Sequence, residues 1–92
     1  MKKWITISFN EAEYNYIMSS SGSSFNDVAN KKISSYLNGK LSLKFPPPKV
    51  GSGPRTIRKD IAVDEDTLNT LKQKAEELGI SLALLVRSIL LS

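Results

Sequence analysis

"KKWITISFN", residues 2–10, reads as an extended segment that stops on a helix cap. Ile5, Ile7 and Phe9 share one face of a strand, and Trp4, Thr6 and Ser8 share the other. Asn10 has the chemistry of an N-cap, and Glu13 stands three residues on to complete a capping box. No hairpin turn follows. A lone strand leaves its backbone donors and acceptors unpaired, so a partner has to come from elsewhere.

The second half of the chain supplies a candidate. "WITISFNEAEYNYI" at 4–17 aligns with "RKDIAVDEDTLNTL" at 58–71: Ile7 falls on Ile61, Phe9 on Val63, Asn10 on Asp64 and Ile17 on Leu71. Beyond this, "SGSSFNDVANKKISSYL" parallels "LGISLALLVRSILLS", with Gly22 on Gly79 and Ser24 on Ser81. The order is strand–helix–helix, twice. Asn10 and Asp64 are expected to cap the first helices, and Ser24 and Ser81 the second. Gly22 and Gly79 sit where a first helix ends in a left-handed cap. Repeat one lacks about one helical turn before its glycine, and its "SSSG" favours helix less than the "EELG" of repeat two.

"LKFPPPKVGSGP" separates the repeats. Consecutive prolines favour polyproline II, and Gly51, Gly53 and Pro54 disfavour regular structure. The expected organisation is a first motif over 1–38, a linker over 39–54 and a second motif over 55–92. Roughly 15 linker residues at ~3.1 Å each reach far enough for the strand near 4–9 to pair antiparallel with the strand near 57–63. The alternative is that each strand pairs with its own copy in a second chain. The expected fold class is mostly α with a short antiparallel β-ribbon.

Composition excludes several functions. The chain has 92 residues, no cysteine and no histidine, which removes disulfides, zinc fingers, cysteine nucleophiles and histidine triads. A chain of this length buries only about 60–65% of its unfolded surface, so tightly coupled repeats or a second chain help it fold. No segment approaches the roughly 18 apolar residues of a membrane span, and polar residues interrupt the apolar stretch behind Lys2 and Lys3, against a signal peptide. A cytoplasmic location is expected. The net charge is +4: residues 1–40 and 41–54 each carry +2, and 55–92 balance. A mild basic excess suits a polyanion partner without demanding one. No nucleophile–base pair, metal-ligand cluster or phosphate-binding glycine loop is present, so neither an enzyme nor a cofactor is expected.

The segments "KKWITISFNEAEYNYI" and "RKDIAVDEDTLNTLKQKAEELGISLALLVRSILL" resemble the ribbon-helix-helix DNA-binding proteins of the Arc, MetJ and CopG type. The likeness covers about four-fifths of the chain. Two motifs in one chain look like a covalent pseudo-dimer, similar to small regulators of archaea and their viruses, for which the location would be the host cytoplasm. The resemblance implies a transcriptional regulator that inserts its ribbon into the major groove of double-stranded DNA. Base-reading side chains would then be Trp4, Thr6 and Ser8 from repeat one, with Arg58 and Asp60 from repeat two. Trp4 can equally pack at the ribbon's edge. Lys2 and Lys3 would lie near the DNA backbone. The resemblance places phosphate contacts at the starts of the second helices, Ser23, Ser24 and Phe25, and Ile80, Ser81 and Leu82, where free N–H groups and the helix dipole favour an anion.

Repeat two departs from this pattern. Asp60 is repelled by phosphate, although it can accept from a cytosine amino group. Lys59 interrupts the inward row and is expected to snorkel. In "LALLVRSILL", Leu84 and Leu91 fall off the main apolar stripe, which suggests self-association through this helix; deep burial is the alternative. Two rival functions remain. An antitoxin-type protein usually carries a segment beyond the fold, and the sequence stops at Ser92 just after the last helix. An oligomerisation module would read no DNA.

Overall fold

A computed structural model describes residues 2–19, 22–45 and 49–92. The order is β1 (Lys2–Phe9), α1 (Glu11–Met18), α2 (Phe25–Leu37), β2 (Ile57–Asp64), α3 (Glu65–Leu78) and α4 (Leu82–Leu91). β1 and β2 pair antiparallel within the chain, with Trp4 opposite Ala62, Thr6 opposite Asp60 and Ser8 opposite Arg58. The strand that opens the sequence therefore finds its partner in the second half of the same chain.

The period of two in each strand decides which face is covered. Ile5, Ile7, Phe9, Ile61 and Val63 are buried, and their even-numbered neighbours are exposed or half-exposed. Burying an Ile or Phe side chain contributes about 1.5–3 kcal/mol, and this row is the floor on which the helices stand. Ile17, Phe25, Val28, Ile33, Leu71, Leu85, Val86, Ile89 and Leu90 complete one core shared by both halves. A two-stranded ribbon is marginal alone, so the helical cover is what makes it stable.

The helix starts follow the sequence closely. Asn10 accepts from the Glu13 N–H at 2.7 Å while Glu13 accepts from the Asn10 N–H at 2.9 Å, a complete capping box. Ser24 accepts from the Asp27 N–H and Ser81 from the Leu84 N–H. Asp64 stands at the N-cap of α3 but makes no side-chain cap bond; its carboxylate pairs with Lys2 across the ribbon at 3.6 Å.

The helix ends differ between the halves. Gly79 closes α3 with φ +69, and the Ile80 N–H bonds back to the Ala75 carbonyl, a Schellman-type end that only a residue at ease in the left-handed region makes cheaply. Gly22 has no such role. α1 already ends at Met18 with Ser19 as a right-handed C-cap, so the serine-rich end shortens repeat one by more than the expected turn. Ser20 and Ser21 lie outside the described residues.

The apolar surplus of α4 is used inside the chain. Leu85, Val86, Ser88, Ile89, Leu90 and Leu91 are all buried, and Leu84 is half-buried. The strip expected to bind another subunit is therefore a core strip, because α4 packs against α1, α2, α3 and β1 together. The interrepeat segment contributes to this cover. Leu41, Leu43 and Val50 pack on the core, the Lys44 N–H donates to Ser92 Oγ, and Asn10 Nδ2 donates to the Val50 carbonyl. The polyproline expectation for residues 46–48 lies outside the described residues.

Two stability measurements check this account. Asn10→Ala removes a cap and the Val50 tether together, and should cost about 1–2 kcal/mol in urea denaturation. Asp64→Ala removes only an exposed ion pair and should stay within about 0.5 kcal/mol of the parent. Separately, a Cβ at Gly51 would collide with the Ala12 Cβ, at a φ of +66. Gly51→Ala should therefore destabilise by about 1–3 kcal/mol; a neutral result would mean that the segment does not dock on α1.

Candidate nucleic-acid interface

The ribbon presents one uncovered face. Along β1 it carries Lys2, Trp4, Thr6 and Ser8; along β2 it carries Arg58, Asp60, Ala62 and Asp64. Trp4 is 65% exposed, an unusual position for the one tryptophan of the chain. It stands opposite Ala62, whose small side chain leaves the indole uncovered on that side. All five expected base-reading residues, Trp4, Thr6, Ser8, Arg58 and Asp60, therefore lie on one face.

The face is partly committed to itself. Thr6 Oγ1 donates to Asp60 Oδ1 at 2.6 Å, across the strands. The Thr6 methyl and the second Asp60 oxygen are the groups left for a ligand. At one end Lys2 pairs with Asp64, both well exposed. Two cations, Lys2 and Arg58, thus meet two carboxylates, Asp60 and Asp64, on this face. Lys3 falls on the inward row, half-buried opposite Val63. It does not share the outer face with Lys2.

Lys59 also falls on the inward row, and its ammonium sits over the Tyr14 ring at 5.2 Å from the centroid. Tyr14 stacks on Phe25 at 5.8 Å, and Phe25 meets Phe9 edge-on at 5.7 Å. The lysine is accommodated at the rim of the core by the face of an aromatic ring, which attracts a cation. Phe25, expected at a phosphate contact, carries its side chain into the core and so fixes where α2 begins. Ile80 and Leu82 do the same for α4, and Ser23, Ser24 and Ser81 remain exposed at the two helix starts.

The free edges of the ribbon are held by residues that the sequence reading passes over. On β2, the Ala62 N–H donates to Asn26 Oδ1 at 2.8 Å, and the Ala62 carbonyl accepts from Asn30 Nδ2 at 3.0 Å. On β1, the Ser8 carbonyl accepts from Arg87 Nη2 at 2.7 Å. Each second helix thus grips the strand of the other half. Burial, with Arg55 nearby, lowers the Arg87 pKa, and Glu13 partly offsets this. The signal was present in the sequence: Arg87 is a lone cation inside an apolar helix, and Asn26 and Asn30 are one turn apart on the face beside Ala29 and Ile33.

Among the described residues no helix is long and apolar enough to cross a membrane. Comparison of the chain with protein-family models, with curated proteins and with solved structures gives no match.

Proposed function

We propose that this protein is a sequence-specific double-stranded DNA-binding transcriptional regulator, built as a covalent pseudo-dimer of two ribbon-helix-helix motifs. The observation that carries the reading is the ribbon itself: a two-stranded antiparallel sheet with one face sealed by helices and the other bare, polar and topped by an exposed tryptophan. B-DNA's major groove admits a two-stranded ribbon and offers each base pair as a distinct pattern.

Two features support the pseudo-dimer. The repeat alignment maps Thr6 onto Asp60, and the strand register pairs Thr6 with Asp60. A local two-fold axis would pass through that pair. The same alignment maps Ser8 onto Ala62 and Asn30 onto Arg87, and the two edge clamps are Arg87 on Ser8 and Asn30 on Ala62. A reciprocal exchange of this kind is what two joined copies of one motif produce.

On this reading Thr6 and Asp60 meet the centre of the site, with the threonine methyl suited to a thymine methyl and Asp60 to a cytosine amino group. Trp4 and Arg58 reach outward, towards a sugar or thymine and a guanine or phosphate. The starts of α2 and α4, at Ser23–Phe25 and Ile80–Leu82, receive phosphates and fix the register without reading sequence. The two halves of the face differ, so the preferred site is asymmetric.

The test is duplex binding against excess random competitor at low and physiological salt, starting from the DNA upstream of the protein's own gene. Competitor-resistant binding, with affinity falling as salt rises, is the expected result. Thr6→Ala should cost about 1–3 kcal/mol at the preferred duplex and leave random duplex unchanged. Asp60→Asn should do the opposite for random DNA, strengthening it by removing a carboxylate from the groove while reducing discrimination. Equal effects of both substitutions on preferred and random duplexes would sink base readout by this ribbon.

A further inference from the structure

A second polar site lies where the interrepeat segment folds over α1 and α4. It is an open cleft of about 700 Å³, walled by Asn10, Glu13, the 49–53 segment, Arg55, Arg87 and Leu91. None of the outward ribbon residues lines it. The cleft holds three cations, Lys49, Arg55 and Arg87, against one carboxylate, Glu13. That carboxylate is already engaged: it accepts from the Asn10 N–H and stands 3.5 Å from Arg55 Nε. It is only 3% exposed.

Arg87 is not satisfied in the same way. Its Nη2 holds the Ser8 carbonyl, but its Nε is buried with no hydrogen-bond partner. An orphaned buried donor on a cation costs free energy, and native structures rarely tolerate one without an acceptor nearby. The wall opposite is preformed. Asn10 Nδ2 holds the Val50 carbonyl, and Gly51 seats its backbone against Ala12, where no side chain fits. A segment with this much to fix it is more than a spacer.

We propose that this cleft binds a small phosphate-type oxyanion, free phosphate or a phosphomonoester, with Arg87, Arg55 and Lys49 as its cationic ligands. Guanidinium groups present planar donor pairs that match phosphate oxygens, and a lysine adds a point charge at the mouth. The anion balances the two uncompensated positive charges of the cleft, and it meets Arg87 through whatever part of the guanidinium lines that cleft. Arg87 also clamps the Ser8 edge of the ribbon, so occupancy of the cleft is felt at the end of β1.

The test uses the ¹⁵N-labelled full chain and inorganic phosphate, with chloride at matched ionic strength as the control. Phosphate should move the Arg87 Nε–H resonance and the Gly51 and Gly53 amides along one saturating curve, and chloride should not. Lys49 is exposed and makes no core contact, so Lys49→Ala keeps the fold; it should weaken phosphate binding about tenfold, the loss of one charge-assisted contact. Shifts that match those in chloride, or that never saturate, would overturn the proposal. So would saturating binding that Lys49→Ala leaves unchanged.

Discussion

A two-stranded ribbon has two free edges and one face it must hide, and the rest of this protein answers to those constraints. Hydrogen bonds between β1 and β2 satisfy only half of each strand's backbone groups. The other half faces outward, where it would pair with any passing strand. Here Asn26 and Asn30 take both polar groups of Ala62, and Arg87 takes the carbonyl of Ser8. At Ala62 and Ser8 the edges of the ribbon are therefore held by side chains from the helices. Because α2 closes the edge of β2 and α4 the edge of β1, neither half completes its own strand. The two halves of the chain are therefore tied to each other at the strand edges as well as through the shared core.

The two clamps use different chemistry. Asparagine is both donor and acceptor, so α2 meets an N–H and a carbonyl with two neutral side chains. In α4 the position of Asn26 is Ala83, which offers no acceptor, and that of Asn30 is Arg87, which can only donate. Placing a guanidinium at the edge of an apolar helix carries a desolvation cost, visible in its lowered pKa and unpartnered Nε. Glu13 lies close enough to oppose that cost, and it is itself fixed by the Asn10 cap. The N-cap of α1, the Arg55 side chain and the β1 edge are thus parts of one electrostatic arrangement. Asn10 was recognisable as a cap from four residues of sequence. Its link to Arg87 was not, since it depends on a fold that brings residues 10, 55 and 87 together.

The same division runs through the whole molecule. Whatever depends on local periodicity was readable: the alternation in both strands, the four helices, the serine caps and the left-handed Gly79. The antiparallel pairing followed from the repeat, with an interchain ribbon as the open alternative. Among the readings that failed were those that took an apolar surplus or a glycine at face value. Leu91 looked like a contact for another chain because a helical wheel assumes one buried side, whereas α4 is covered from several directions. Gly22 looked like a cap because it aligned with Gly79, but α1 stops before reaching it. Leu41, Leu43 and Val50 gave a faint signal, apolar residues in a stretch dominated by proline and glycine, and they turn out to be part of the core's cover.

On the proposed DNA-binding reading, charge separates affinity from discrimination on the outer face. Lys2 and Arg58 are offset there by Asp60 and Asp64, so the face as a whole carries no excess charge. The surplus of +4 resides elsewhere, much of it in residues 1–54 at Lys3, Lys31, Lys32, Lys40, Lys44 and Lys49. If the proposed function holds, a neutral face gains little from a phosphate backbone wherever it lands, and a carboxylate at its centre penalises contacts that do not offer a donor. The Thr6–Asp60 bond sharpens this, because it orients the carboxylate and leaves one oxygen to be satisfied by the ligand. If this ribbon enters a groove, non-specific attraction has to come from the flanking helices and the interrepeat segment, and the ribbon acts mainly by rejecting the wrong sequence. On the proposed DNA-binding reading, that arrangement would suit a small chain with modest net charge, whose selectivity would depend on keeping its non-specific binding weak.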